Sequence, residues 1–291
     1  MNSAATLPSH FIITASSPGK LGTIDALTGY LAQQQCYVIE MSSYDDRDTG
    51  HFFMRVEFRN ESETPLDLHK FNTELDQRAE PFEMQWQMHD AARKIPVVIM
   101  VSKYDHCLND LLYRSRTGQL PIEIRAIVSN HPDLKPLADW HNIPYHHLPV
   151  SPETKLDQEQ KLMKVVEDSE AELVILARYM QVLSEQLCEH MQGRVINIHH
   201  SLLPGFKGAK PYHQAYQYGV KMVGATAHYV TPELDEGPII DQIIEPVNHS
   251  YSVEQLVEKG QSTECRTLAR AVKHHAEHRV FLNGRKTVVF E

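Results

Sequence analysis

The chain has 291 residues, enough for one large domain or two smaller ones, and its 42% hydrophobic and 23% charged residues are ordinary for a soluble globular protein. A formal net charge of −10 argues against a broad nucleic-acid surface, which needs clustered Lys and Arg to neutralise phosphates. No apolar run approaches the roughly 20 residues that span a bilayer, and "MNSAATLPSH" lacks the basic start of a signal peptide.

The first 90 residues have their own rhythm. "HFIITA" (10–15) reads as a strand and "SSPG" (16–19) as a turn, with Pro18 suited to a first helical turn. In "KLGTIDALTGYLAQQQ" (20–35), Leu21, Ile24, Leu27 and Leu31 recur three or four apart, the period of an amphipathic helix. "CYVIEMSSY" (36–44) and "HFFMRVEF" (51–58) flank a polar turn and predict a hairpin. "PLDLHKFNTELDQRA" (65–79) is a helix and "FEMQWQMH" (82–89) a strand. The order β-α-β-β-α-β is that of a ferredoxin-like domain.

Residues 90–96, "DAARKIP", have the charge and the proline of a linker. Beyond them, "VVIMVS" (97–102) suits a strand buried on both faces. Helix 107–118, strand 122–130, helix 134–142, an extended run 143–150, helix 158–169, strand 172–177, helix 184–191 and strand 194–198 follow. This alternation predicts a doubly wound, mostly parallel sheet of the α/β class. Extended runs 224–230 and 238–245 precede a helix over about 253–278, and Asn283–Gly284 is a strong hairpin signal. The expected domains are therefore 1–89, a linker 90–96, and 97–291.

Cys36, Cys107, Cys188 and Cys265 form no CxxC pair and read as free thiols of a reducing cytosol. The 18 histidines include no zinc-like HxxxH beside a carboxylate, so no metal site is expected. The stretch that invites chemistry is "NIHHSLLPGFKGAKPYHQA" (197–215), where the strand "RVINI" gives way to a loop with Pro204, Gly205, Gly208 and Pro211. Polar groups at the carboxyl tip of a strand are where such sheets hold their ligands. Side chains alternate along a strand, so Asn197 and His199 share a face and His200 is expected to point away. An Asn amide donates hydrogen bonds without ionising and, beside an imidazole, suits the oxyanion of a carbonyl under attack. Asp235, in the turn "TPELDEGPII", is a candidate proton acceptor. Ser201 lacks the GxSxG surroundings of a nucleophile. From spacing alone, Asn197 and His199 also fit a hydrogen-bonded strand cap, and Asp235 an ordinary turn residue.

"NIHHSLLPGF" (197–206) followed by "HYVTPELDEG" (228–237) resembles the folate-dependent formyltransferase family, whose pattern is Asn-x-His…Ser-Leu-Leu-Pro and then His-x-Val-x-x-x-x-Asp-x-Gly. "LARYMQVLS" (176–184) is similar to the family's pterin-pocket loop, and the likeness covers most of 97–275. His200 stands where the transferases usually have Pro. With "GAKPYHQA" (208–215), "SKYDHCLNDLLYR" (102–114) and "VSNHPDL" (128–134), it places the likeness among the family's deformylases. The family's glycinamide ribonucleotide transferases cradle a substrate phosphate on a glycine-rich loop after the first strand. Here that loop, "VSKYDHCLND", has no glycine and carries Asp105, with Lys103 and His106 as its positive charges.

The resemblance implies hydrolysis of 10-formyltetrahydrofolate to tetrahydrofolate and formate without a cofactor, the substrate being the folate and the acceptor water. Formyl transfer to an amine is the alternative. It implies catalytic roles for Asn197, His199 and Asp235. It implies a pterin held against Met180, Val182, Leu183 and Val230, near backbone groups of Gln181 and Pro232. The module around "SSPGKLG" (16–22) resembles an ACT domain, which implies an amino-acid effector near Gly19 and Gly22, or pairing into a homo-oligomer. A cytoplasmic location and no membrane or nucleic-acid partner complete the expectation.

Overall fold

The structure is a computed structural model that describes residues 10–205 and 211–291. The expected loop around Gly208 and the stretch before His10 lie outside the described residues. The chain divides into two compact units. The first comprises residues 1–93, Glu277–Phe281 and Val288–Glu291, and the second Lys94–Ala276 and Leu282–Thr287.

In the first unit, strand β1 (His10–Pro18), helix α1 (Thr23–Gln33), strands β2 (Cys36–Asp46) and β3 (His51–Asn60), helix α2 (Leu68–Ala79) and strand β4 (Gln85–Asp90) occur in the predicted order. The sheet order is β2-β3-β1-β4, with every neighbouring pair antiparallel. Alternating strand residues Ile13, Met54, Val56 and Phe58 meet Leu27, Tyr30 and Leu31 of α1 and Phe71 and Leu75 of α2 in one core. Arg55 is 2% exposed. A buried guanidinium needs partners on every side. Arg55 finds them in Glu40 at 3.1 Å, Glu57 at 3.2 Å and the Glu277 carbonyl at 3.1 Å. Arg279 in turn clasps Glu40 with two hydrogen bonds, at 3.0 and 2.9 Å.

The second unit begins sooner than the linker expectation placed it, because β5 runs Ile95–Val101 and only residues 91–94 connect it to β4. There follow α3 (His106–Arg116), β6 (Ile122–Ser129), α4 (Lys135–Trp140), β7 (Tyr145–His147), α5 (Lys155–Asp168), β8 (Leu173–Leu176), α6 (Glu185–His190) and β9 (Val195–His199). Then come α7 (Pro211–Tyr218), β10 (Met222–Tyr229), β11 (Ile239–Pro246) and α8 (Val253–Ala276), and the hairpin β12 (Val280–Asn283) and β13 (Lys286–Val289). The extended run expected over 143–150 is reduced to the three residues of β7. The expectation that 97–291 forms one body differs at the tail, where both outer ends of the hairpin cluster with the first unit.

The seven-stranded sheet has the order β11-β10-β9-β8-β5-β6-β7. Strands β5 to β9 pair in parallel, while β10 runs antiparallel to β9 and β11 to β10. All seven residues of β5 are buried, as its unbroken apolar run requires in a sheet covered on both faces. From β5 the chain winds outward to β6 and β7, then returns to add β8 on the other side. That reversal opens a crevice at the carboxyl ends of β5 and β8, the usual ligand position of an open α/β sheet.

Candidate active site

Three loops leave the sheet at that crevice. The loop after β8 is tied to the one after β5 by Met180, whose backbone N–H donates to Ser102 Oγ at 3.0 Å. It ends where Ser184 caps α6 by accepting from the Leu187 N–H at 3.2 Å, a standard Ser role. Between these ties, Met180 and Val182 are about half exposed, an apolar surface held at a rim. The third element is the tip of β9, with Asn197 and His199.

The β9–β10 register places Asn197 opposite His228. Their side chains meet, Asn197 Nδ2 lying 3.2 Å from His228 Nε2. His228 Nδ1 lies 2.8 Å from the Tyr229 carbonyl oxygen. That oxygen only accepts, so Nδ1 carries the proton and Nε2 accepts from the Asn197 amide. The Asn197 side chain is thereby oriented, with its second N–H left over. Burial pushes His228 down, which keeps its ring neutral and fit for this acceptor role. Gly237 makes the arrangement possible, because a Cβ there would lie 1.8 Å from the Tyr229 oxygen.

Asp235 adopts a left-handed backbone (φ 57°), a region that Asp and Asn enter more readily than other side chains. Its Oδ2 lies 3.3 Å from His199 Nδ1 and its Oδ1 3.9 Å from His228 Nε2. Burial raises the Asp235 carboxyl. The hydrogen bond from His199, with the other imidazoles nearby, outweighs that and holds it below its usual value. His199 is 4% exposed, and its other ring nitrogen, Nε2, is buried without a hydrogen-bond partner. A buried imidazole nitrogen left open is costly unless a ligand takes it.

Asn197, His199 and Asp235 line one cavity of about 240 Å3. Met180, Gln181, Val182, Leu183, Val230 and Pro232 line it too, so the nine residues expected for catalysis and the pterin surround a single space. His200 departs from its expectation. Strand β9 ends at His199, so alternation no longer governs the next residue. The His200 ring lies against the same cavity, its centroid 5.2 Å from that of His199. Burial, then the charge of Arg178, lower His200 to about 4. Ser201 Oγ donates to the Gly205 carbonyl at 2.9 Å and is turned inward, not toward the cavity.

The loop after β5 offers less positive charge than Lys103 and His106 suggest, since His106 Nε2 lies 2.8 Å from Glu264 Oε2. No metal-ligand spacing is visible in the sequence, yet among the described residues His106, Cys107 and Glu264 bring their donor atoms within 4.8 Å of one another. They do not fit a metal ion, because the same Glu264 oxygen faces the Arg178 guanidinium at 3.4 Å, where a cation already stands. His228, Arg178 and Thr231 also line the cavity, and Glu264 stands against Arg178; none of these four is among the expected site residues. Glu264 had a legible signal. It falls on the apolar stripe of α8 with Leu256, Gly260, Thr267, Leu268 and Val272, all buried, a position where a carboxylate is out of place.

A model of the formyl transferase family matches residues 95–272, well over half of the chain. A formyltetrahydrofolate deformylase of Corynebacterium sp. (strain P-1) is 49% identical over 278 residues, spanning 96% of this chain and 97% of that one. The chain belongs to the formyltetrahydrofolate deformylases of the formyl transferase family. Another family member, from Escherichia coli (strain K12), is 36% identical over 281 residues, 96% of this chain and 97% of its own length. The crystal structure of a formyltetrahydrofolate deformylase from Pseudomonas putida KT2440 superimposes with a TM-score of 0.91 at 57% identity, covering 97% of this chain and all of the other. A glycinamide ribonucleotide transformylase from Symbiobacterium toebii is more distant, with a TM-score of 0.64 and 28% identity over 68% of this chain and 95% of its own. Both the α/β fold and the deformylase branch expected from the sequence agree with these likenesses.

Proposed function

We infer that this chain hydrolyses 10-formyltetrahydrofolate to tetrahydrofolate and formate. The observation that carries the reading is the meeting of Asn197, His199 and Asp235 at a cavity that also has an apolar side, formed by Met180, Val182, Leu183 and Val230. The pterin lies against Met180, Val182, Leu183 and Val230, with backbone groups of Gln181 and Pro232 at its polar edge, and the formyl group reaches the β9 tip. Asp235 accepts from His199 Nδ1–H and fixes the ring. The open Nε2 then takes the proton of the attacking water. The second N–H of Asn197 donates to the formyl oxygen as it becomes an oxyanion. Collapse of the tetrahedral intermediate breaks the C–N10 bond, and His199 returns its proton to N10. Every step uses side chains of the chain itself and none is assigned to a cofactor.

The test is incubation of the protein with 10-formyltetrahydrofolate and no amine. Formate and tetrahydrofolate in equal amounts support the reading. Strict dependence on an added amine would move the chain to the transferases.

The first unit adds a regulatory element to the same proposal. Gly19, Lys20, Gly22, Thr23 and Asp45 line a second cavity of about 700 Å3 at the β1–α1 turn. Gly22 takes φ +92° there, and a Cβ on Gly19 would lie 2.9 Å from Asp45 Oδ1. Such a turn, with the Asp45 carboxylate and the Lys20 ammonium beside a helix start, suits an amino-acid effector. Tyr37, Ile39 and Met41 are exposed on the edge strand β2, an apolar edge that favours self-association into a homo-oligomer. Among the described residues no helix is long and apolar enough to cross a membrane. The four cysteines are free thiols, which supports a cytoplasmic setting.

A further inference from the structure

Four stretches of the sequence supply polar residues to which the reaction above assigns no role. They are Tyr104 and His106 from "SKYDHCLND", Arg178 from "LARYM", His200 from "NIHHS" and Tyr212 from "PYHQA". In the fold they gather around one carboxylate. Glu264 is 1% exposed. Its Oε2 lies 2.8 Å from His106 Nε2 and 3.4 Å from Arg178 Nε, and its Oε1 accepts from the Tyr212 hydroxyl at 2.8 Å. Gly260, one helical turn earlier, makes room for Tyr212, since a Cβ there would lie 2.1 Å from the Tyr212 ring carbon Cζ and hydroxyl oxygen. Arg178 is held in a left-handed conformation, φ 66°, with its Cζ 5.1 Å above the Tyr104 ring. The His200 ring sits 6.1 Å from Tyr212 on one side and 5.2 Å from His199 on the other.

Burial raises the Glu264 carboxyl, but His106, Arg178 and Tyr212 outweigh it and keep the group below its usual value, hence charged. Buried ion pairs of this kind add little to stability, and well-packed apolar side chains commonly do as well or better. A chain that needed only a packed core has no use for it. The network reaches two polar residues of the cavity wall beside the Asn197–His199–Asp235 set, Arg178 through the ion pair with Glu264 and His200 through the neighbouring Tyr212 ring.

We propose that Glu264 locks Arg178, Tyr212 and His200 into a rigid polar wall on the acceptor side of the site, and that this wall admits water and excludes amines. The inference rests on the hydrolase reading and specifies it. A cavity of about 240 Å3 is small for a ligand site, and a pterin with its formyl group fills most of it. The space left beside His199 is bounded by the buried Arg178 and by the His200 ring. The guanidinium hydrogen-bonds water through its N–H groups, and the Arg178 and His200 side chains leave space for that one heavy atom but not for the second heavy atom of even a small neutral amine such as hydroxylamine. The neutral His200 ring offers water an acceptor. Glu264, Tyr212 and His106 are positioning residues here, and they act through Arg178 and His200.

The test is a partition. Full-length protein is given 10-formyltetrahydrofolate with hydroxylamine competing against water, and formate and N-formylhydroxylamine are both quantified. In capture, the C–N10 bond breaks, a bond from the formyl carbon to the hydroxylamine nitrogen forms, and the proton released by that nitrogen goes to N10. Wild-type protein is expected to give formate almost alone. Glu264→Gln and the milder Tyr212→Phe are expected to raise the captured fraction at least fivefold. The ratio is taken per turnover, so a partly unfolded sample does not distort it. A ratio unchanged in both variants overturns the wall while the hydrolase reading stands. Failure of the wild-type protein to release tetrahydrofolate without an amine overturns that reading and the inference with it.

Discussion

Asp235→Asn is the substitution that isolates the carboxylate charge. Asp235 sits at φ 57°, where Asn is tolerated almost as well as Asp and Ala is not. The exchange therefore keeps the backbone and the side-chain shape. It removes the partner 3.3 Å from His199 Nδ1. At that separation and an effective dielectric constant near 20, opposite unit charges attract by about 5 kcal/mol. This is the upper bound on what the imidazolium formed in the transition state loses. General acid–base groups typically contribute about 10²–10⁴ in rate, or roughly 3–5 kcal/mol, so the two figures agree. Formate release under saturating 10-formyltetrahydrofolate should fall by about 10²–10⁴. KM should stay within a few-fold, since Met180, Val182 and Val230 are untouched. Turnover within threefold of wild type would refute the assignment of Asp235 and the orientation it gives His199.

Asn197→Ala should lower kcat by about 10²–10³ with little change in KM, as loss of an oxyanion donor does elsewhere. A rise in KM at constant kcat would assign Asn197 to binding instead. Gly237→Ala drives a Cβ to within 1.8 Å of the Tyr229 oxygen. Thermal unfolding should show a loss of about 1–3 kcal/mol from overpacking, and turnover should fall because His228 no longer holds Asn197. An unchanged Tm would mean that the turn relaxes freely. The pH dependence follows from the buried histidines. Burial lowers His200 and His275 to about 4, and His228 is lowered as well. The unfolded chain binds protons on these rings near pH 6.5 while the folded chain does not, so stability is lost as pH falls from about 6.5 toward 4. Asp235 and Glu264 are depressed carboxylates, and their share is lost only at lower pH. Urea unfolding should show a falling midpoint between pH 7 and pH 5. A flat midpoint across that window would refute the neutral-ring assignment.

The fold was legible in the sequence where one period dominated. The spacing of Leu27 and Leu31 and the alternation through Met54, Val56 and Phe58 record a single buried face, so the β-α-β-β-α-β order could be read directly. The run "VVIMVS" likewise declared a strand covered on both sides. Asn197 and His199 were legible because a strand tip fixes which side chains share a face. Other parts of the site depend on tertiary pairing. His228 matters because the antiparallel β9–β10 register sets it opposite Asn197, and nothing local in "GATAHYV" announces that partner. His200 was misplaced by extending strand alternation one residue past the end of β9. Glu264 lay within a helix placed correctly, but a glutamate in a helix usually faces water, and only its position on the apolar stripe marked it as buried. The length of β7 is set by its three-residue pairing with β6, which the longer extended run 143–150 does not reveal, and α7 starts at Pro211, a residue suited to a first helical turn although the Pro and Gly before it read as loop.

The path of the C-terminal segment bears on how this protein can be recombined. Arg55 and Glu40 draw their remaining partners from Glu277 and Arg279, so the first unit is completed by residues that follow Lys94–Ala276, the bulk of the second unit, in sequence. In terms of gene architecture, Lys94–Ala276 is an insertion within the first unit, as in other tolerated domain insertions. A segment cut after Arg93 would carry a buried guanidinium short of one acceptor and a glutamate short of its clasp. Removing one partner from a buried charge typically costs about 3–5 kcal/mol, a large share of what a small domain has. Exchange of the first unit between proteins therefore takes two crossovers, one near residue 93 and one near 277, and a graft with a single junction starts from a destabilised module.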